Sequence, residues 1–401
     1  MTDQNGTLVT DQCQVSYMTP WATVVALTTC YLIVIWWICR NGKKMCEPVP
    51  DNLFPYQKHL RQLKRELSCL LIEDNDIEIF GKPLAHTAQG TVFFGTMVPR
   101  VKHRTIERVS VAVKVSYPNP MHSVALLDES ARICRLSHPH LSRVVAISHL
   151  SFTVLRPAVV IEWLDGGSLA DYFQHQIREQ EERERPMVLL RDMLGLLAQI
   201  SDALKHFHEV LGDLAHGSVT TENVQLTCRD LKRCTAKLSY IYPPTTSRLP
   251  PEVICSTVIN PKIRQESDIW MFGILCWECM ALGAEPYYQR TSDEIQRSFR
   301  LPDRGLTCPQ NCPLNVWSLV MDCLSEAHRR PRSVGSVPTL GDRMRQLHSY
   351  YAQSVDCLHP VPNNAVALHF IQHIESIDEF TKSNVEVIHP ECKSADQLLC
   401  C

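Results

Sequence analysis

The chain has 401 residues, 45% of them hydrophobic and 21% charged, with a net charge of -3. That length suits two or three domains, or one large two-lobed unit with extensions. The near balance of charge excludes the basic field that a nucleic-acid partner requires. The 18 cysteines are scattered through apolar runs, as at Cys134 and Cys276. No pair of CxxC motifs stands at zinc-ribbon spacing, so buried free thiols in a reducing compartment are expected, and no metal site.

The first element is an uncharged run, Ala22 to Cys39. As a helix it would be about 27 Å long, close to the hydrocarbon thickness of a bilayer. Trp21, Trp36 and Trp37 lie near its ends, and Arg40, Lys43 and Lys44 follow directly. Only Asp3 and Asp11 carry charge before it, so the positive-inside rule puts the N-terminus outside and the remainder in the cytoplasm. A cleaved signal peptide would show a basic start and a small-residue cleavage site, and neither is present. The outer segment, 1–20, is too short to fold, although Asn5-Gly6-Thr7 forms a glycosylation sequon. Cys39 and Cys46 flank the inner face, where acylation is an open option.

The expected organisation is an outer segment 1–20, a transmembrane helix 21–39, a juxtamembrane linker 40–76, a folded domain 77–352 and a tail 353–401. Within the folded domain, Val92–Phe94, Val109–Val115 and Val159–Trp163 are short apolar or β-branched runs that predict strands. His122–Leu136 has helical spacing. From Leu189 the period is helical throughout, with helices expected over Leu189–His208, Asp268–Leu282, Asn315–Ser325 and Ser336–Tyr350. The charge-mixed run Gln174–Arg185 predicts a solvated helix or an insert. The tail from Val355 has few periods and is expected to be extended or partly disordered.

Several strings then occur in one particular order. Val111-Ala112-Val113-Lys114 ends a strand on a lysine, which is costly inside an apolar strand unless paired. Glu129 follows on the next helix, and His138-Pro139 follows that. Ile161-Glu162-Trp163-Leu164, Pro250-Pro251-Glu252, Ser267-Asp268-Ile269-Trp270-Met271-Phe272-Gly273 and the late Arg330-Pro331 complete the series. Together these strings resemble the protein kinases over about residues 77–350, and the extended Ser267–Tyr287 string resembles the tyrosine kinases in particular. The resemblance implies an α+β, bilobal protein-kinase-like fold, with a small β-rich N-lobe (about 77–162) and a large helical C-lobe (about 165–352), preceded by one transmembrane helix. It further implies a Lys114–Glu129 ion pair, with Ile161 as gatekeeper. Gly90, Val92, Ala112, Glu162 and Leu164 would lie around an adenine ring. Glu252 would pair with Arg330 inside the large lobe.

The chain departs from that family where chemistry resides. The glycine-rich loop reads Ala85, Thr87, Gly90 and Val92, so only the last glycine is kept. The catalytic loop reads His216-Gly217-Ser218-Val219-Thr220-Thr221-Glu222-Asn223, with Ser218 where the family has its base. Asn223 remains. Tyr240-Ile241-Tyr242 stands in place of DFG, so Tyr240 replaces the metal-binding carboxylate, and only about ten residues separate it from Pro250. Gln225 falls where the family puts an apolar residue beneath adenine. Asp213 and Asp230 lack the spacing to substitute. No intact catalytic set and no metal site are therefore expected, no cofactor is required, and weak ATP binding is left open.

The reading that follows is a single-pass, tyrosine-kinase-like pseudokinase acting as a signalling scaffold or allosteric regulator. Its implied partners are the membrane and signalling proteins or active kinases. The alternatives are an unconventional active protein kinase and a non-hydrolysing ATP sensor. The terminal Cys400-Cys401 resembles a prenylation ending and, without a GTPase-like pattern, is read as incidental.

Overall fold

A computed structural model describes Thr28, Thr29, Tyr31, residues 54–99, 107–148, 157–182, 188–212, 214–258, 261–335, 338–363 and Val366. The chain separates into two units, 1–55 and 56–401. In the first, Thr28, Thr29 and Tyr31 are helical. The rest of the span expected at 21–39 lies outside the described residues, as do the sequon, Cys39, Cys46, Cys400 and Cys401. Among the described residues no helix is long and apolar enough to cross a membrane.

α1 (Phe54–Glu66) begins two residues before the second unit, which continues through a turn and β1 (Leu71–Ile72). These lie within the expected linker, yet Leu60, Leu63 and Leu67 are buried at helical spacing and β1 joins a sheet. β2 (Ile77–His86), β3 (Gly90–Met97) and β4 (Val109–Ser116) follow as an antiparallel meander. Then come α2 (Pro120–Ile133), β5 (Val144–Ser148) and β6 (Ala158–Glu162). Among the described residues, six strands form one sheet in the order β1-β5-β6-β4-β3-β2. Ile72, Met97, Val111, Val113, Ala146 and Val160 form its apolar core cluster. Alternation explains the choice of face: Val111 and Val113 join that cluster, while Ala112 and Lys114 project from the opposite side.

The second lobe is helical: α3 (Leu169–Glu182), α4 (Leu190–Leu211), the small hairpin β7 (Val224–Leu226) and β8 (Ala236–Leu238), α5 (Pro251–Ile254), α6 (Gln265–Met280), α7 (Ser292–Ser298), α8 (Leu314–Cys323) and α9 (Leu340–Tyr350). α6 is apolar all round and is buried from Ser267 to Met280, as a central helix must be. The expected helices agree with α2, α4, α6, α8 and α9 to within a few residues at each end. The charge-mixed run enters α3 and then leaves the described residues. Among the described residues past Val355, 356–362 lie outside any helix and are tied down. Leu190 N–H donates to the Asp356 carbonyl at 2.9 Å, Leu358 N–H to Val188 at 2.9 Å, and Val361 N–H to Ala281 at 3.1 Å. Leu358 and Val366 are buried. A lone strand needs a neighbour's backbone to satisfy its polar groups, and no pattern in the tail names that neighbour.

Candidate functional site

The seam between the lobes is built from β3, β4, β6 and the β7–β8 hairpin. Register sets Val92 beside Lys114, Phe94 beside Ala112 and Ala112 beside Ile161, with Glu162 opposite Val111, three positions along β4 from Lys114. Lys114 Nζ lies 3.4 Å from Glu129 Oε2. α2 presents Glu129 because Asn119 caps the helix, accepting from Met121 N–H at 2.9 Å, and Pro120 sets its first turn.

Gly90 has a structural reason to be glycine. A Cβ there would sit 2.1 Å from the Val115 carbonyl oxygen, so β3 could not close on β4. Its N–H is taken by Thr87 Oγ1 at 3.2 Å, and its carbonyl accepts from Thr87 N–H at 2.8 Å. The turn between β2 and β3 is closed on itself rather than opened towards phosphates. Roof and floor of the seam are likewise closed to solvent: Val92 is 0% exposed, Ala112 0%, Lys114 5% and Gln225 1%. Gln225 donates from Nε2 to the Glu222 carbonyl at 2.9 Å, and its Oε1 has no partner. Glu162 is held from the side by Lys237 Nζ at 2.8 Å.

The catalytic-loop residues are gathered, but around the main chain of Tyr242. Asn223 Oδ1 accepts from Ile241 N–H at 3.1 Å and Tyr242 N–H at 2.9 Å. Asn223 Nδ2 donates to the Tyr242 carbonyl at 2.6 Å, to Ser218 Oγ at 2.7 Å and to the Ser218 carbonyl at 3.0 Å. Ser218 Oγ donates to the same Tyr242 carbonyl at 2.5 Å. Asn223 is 0% exposed. An amide offers two donors and one acceptor oxygen, and here all are engaged. Tyr240 stacks on His216, with ring centroids 4.6 Å apart and planes at 28°. Burial, reinforced by Glu129 and Asp268, pushes the Tyr240 phenol well above its ordinary range, so it stays neutral. Burial also lowers His216 to about 4, against the opposing pull of Asp268.

A magnesium–phosphate group requires hard, accessible oxygen ligands. The residues present do not fit one. Asn223 is enclosed, Ser218 is neutral, and Tyr240 offers a buried phenol. Asp230 caps its own turn through Lys232 N–H at 3.2 Å, and Asp213 lies outside the described residues. Among the described residues no group of three or more His, Cys, Asp or Glu is placed to hold a metal ion.

The supports beneath the seam are complete. Asp268 accepts from His216 N–H at 2.6 Å and Gly217 N–H at 2.8 Å, and meets His208 Nε2 at 2.8 Å. Arg330 forks onto Glu252 at 2.6 and 2.9 Å, with its guanidinium 5.1 Å from the Trp270 ring centroid. One network went unanticipated. Arg248 binds Glu278 at 2.6 Å and Glu222 at 3.1 Å. Burial raises Glu278 to about 7 in spite of Arg248. The signal was available: Glu278 is a carboxylate inside a strongly apolar, buried helix, and such a group requires a partner.

Residues 79–335 match the family described as protein tyrosine and serine/threonine kinase. The chain belongs to that family. It is 42% identical over 384 residues to Protein nipi-4 of Caenorhabditis elegans, covering 92% of this chain and 97% of that one. It is 26% identical over 306 residues to the receptor tyrosine-protein kinase erbB-2 of Mesocricetus auratus, covering 72% of this chain but only 22% of the receptor. It is also 26% identical over 269 residues to the inactive tyrosine-protein kinase kin-32 of Caenorhabditis elegans, covering 63% of this chain and 29% of that protein.

Proposed function

We propose that this chain is a membrane-anchored pseudokinase, a tyrosine-kinase-like fold that works as a signalling scaffold or allosteric regulator of partner proteins. The observation that carries this reading is the engagement of Asn223 and Ser218 on the Tyr242 backbone, with Tyr240 where a metal-binding carboxylate would stand. Phosphoryl transfer relies on positioned charge, and this loop holds main chain instead of metal. The similarity to kin-32, named an inactive tyrosine-protein kinase, accords with that reading. Membrane anchoring rests on the apolar run 22–39 and the basic residues after it.

The retained Lys114–Glu129 pair favours a second reading, a non-hydrolysing ATP sensor. Thermal unfolding of the full chain in lipid nanodiscs separates the readings. A ligand at 100 times its dissociation constant adds about 2.7 kcal/mol. No shift is expected at millimolar ATP, with or without magnesium, and no phosphoryl transfer above a Lys114→Ala control. A magnesium-independent shift would establish the sensor. A magnesium-dependent shift lost in Lys114→Ala, with transfer to protein, would make the chain an active kinase and overturn the proposal. Recovery of the chain in the soluble fraction after alkaline carbonate extraction would remove the anchor.

A further inference from the structure

Two cysteines stand in register at the tip of the β7–β8 hairpin. The strands pair Val224 with Leu238, Gln225 with Lys237 and Leu226 with Ala236. The ladder runs one step further: Thr227 N–H donates to the Thr235 carbonyl at 3.1 Å, and Thr235 N–H donates to Thr227 Oγ1 at 2.9 Å. The next pair is Cys228 with Cys234. Leu226 and Ala236 turn their N–H groups outward, to the Gly167 carbonyl and to Gln199 Oε1, so they are not bonded to each other. Antiparallel pairs alternate, which makes Thr227–Thr235 a bonded pair and Cys228–Cys234 a non-bonded one, the closer kind at about 4.5 Å between Cα atoms. Disulfides close at about 4.4–6.8 Å between Cα atoms. The Thr227 and Cys228 N–H groups are directed at the Cys234 sulfur, and Thr227 Oγ1 donates to it at 3.9 Å.

The main chain around both thiols is already fixed. Gly166 N–H donates to the Leu226 carbonyl at 3.0 Å, and a Cβ on Gly166 would lie 2.8 Å from the Cys228 nitrogen. On the other strand, Gln199 Nε2 of α4 donates to the Cys234 carbonyl at 3.3 Å. Cys228 is half-buried, Cys234 is buried, and both are free thiols. Cys228 Sγ makes a weak contact with the Asp230 carbonyl at 3.6 Å, which a side-chain rotation gives up. The turn between the two carries exposed Arg229, Lys232 and Arg233 against one carboxylate, Asp230. Oxidisable cysteines occur in such electropositive, partly exposed settings. Burial raises the Cys234 thiol, so the more accessible Cys228 is the attacking sulfur.

We propose that Cys228 and Cys234 are a modification site: hydrogen peroxide joins them in a reversible disulfide that braces the hairpin between Asn223 and Tyr240. The Cys228 thiolate attacks one peroxide oxygen and breaks the O–O bond, giving a sulfenic acid and hydroxide. The Cys234 sulfur then displaces the sulfenic hydroxyl, forming the S–S bond, and its proton leaves with that oxygen as water. Two thiols are oxidised and one peroxide is reduced to two waters. A dithiol reductant reverses the bond by exchange, as a transient disulfide in a reducing compartment requires.

The test is peroxide treatment of the full chain in lipid nanodiscs, followed by alkylation of the remaining thiols and tryptic mass mapping. Cleavage after Arg229 and Arg233 puts the two cysteines in separate peptides, so the bond is read as a joined pair that dithiothreitol splits. The pair is expected at peroxide levels that leave the buried Cys276 and Cys279 reduced. In Cys234→Ser no thiol resolves the intermediate, and Cys228 should be trapped as sulfenic acid by a 1,3-dione about tenfold more than in wild type. Cys228→Ser should abolish both signals, and its half-buried position keeps the idea testable if the Cys234 variant does not fold. In the joined form, amides of 224–238 should exchange with deuterium about tenfold more slowly, with those of 265–280 unchanged. Cys228 left reduced, carried on to sulfinic acid, or joined to any other cysteine would overturn the proposal. Unchanged exchange in the joined form would overturn the brace.

Discussion

Two polar networks in this protein join residues of the quoted motifs and are satisfied in different ways. In the large lobe, Glu252 and Arg330 make a forked pair, as the kinase resemblance implied, and Asp268 gathers the His216 and Gly217 amides. At the seam, Ser218 and Asn223 occupy their expected places but bind the Tyr242 main chain. The first network is internal to the fold and must be satisfied whatever the protein does, because an unpaired buried charge is expensive. The second is satisfied by the backbone of Tyr242. With no carboxylate at Tyr240 and a short segment to Pro250, the nearest polar groups are backbone amides, and the loop has closed on them. The Asn223 amide serves there as a structural clasp on the main chain.

That contrast can be broken at either end. The largest effect is expected at Arg330→Ala, which strands Glu252 and removes the contact with Trp270. A loss of about 4 kcal/mol should appear in denaturant unfolding of the full chain in detergent. Next, Asn223→Ala leaves the Ile241 and Tyr242 amides without partners and should cost about 3 kcal/mol by the same measurement. In an active metal site the same change would chiefly affect activity; here it should affect stability.

A pH profile sharpens the comparison further. His216 is buried and neutral, its pKa lowered from 6.5 to about 4 chiefly by burial. The unfolded state therefore binds its proton first as the pH falls. The associated stability is fully present above about 6.5 and is lost as pH drops through about 4, an effect on the order of 3 kcal/mol. His216→Phe preserves an aromatic surface for Tyr240 and should flatten that acid limb in thermal scans from pH 7.5 to 4. Glu278, raised from 4.5 to about 7 by burial, acts in the opposite sense. Its contribution falls as pH rises between those values, so the Phe variant should retain a shallow decline across that window. The smallest effect is expected at Glu326→Ala. Its contacts with Arg329 at 3.7 Å and His328 at 3.8 Å are exposed, and its removal should change stability by less than about 1 kcal/mol.

Much of this was legible in the residues themselves. Period separates the strand runs from α4, α6, α8 and α9, because burial on one face repeats every 2 or about 3.6 residues. The Lys114–Glu129 and Glu252–Arg330 pairs followed from the kinase resemblance, since each joins two quoted motifs. The replacement of carboxylates by Ser218 and Tyr240 is equally a matter of residue type, and side-chain chemistry is local information.

What the tertiary structure alone decided are the partners. Asn223 is compatible with a metal or with a backbone clasp, and only the position of Tyr242 selects the second. Gly90 reads as a phosphate-loop glycine, whereas the distance to Val115 makes it a packing glycine. Residues 54–72 lie in a stretch expected as linker, and their attachment to α2 and β5 depends on groups some 70 positions away. The strap after Val355 depends likewise on main-chain groups of Val188 and Leu190. Periodicity records which side of an element is buried; it carries no address for the surface that buries it, and hydrogen-bond partners far along the chain are chosen only when the fold has closed.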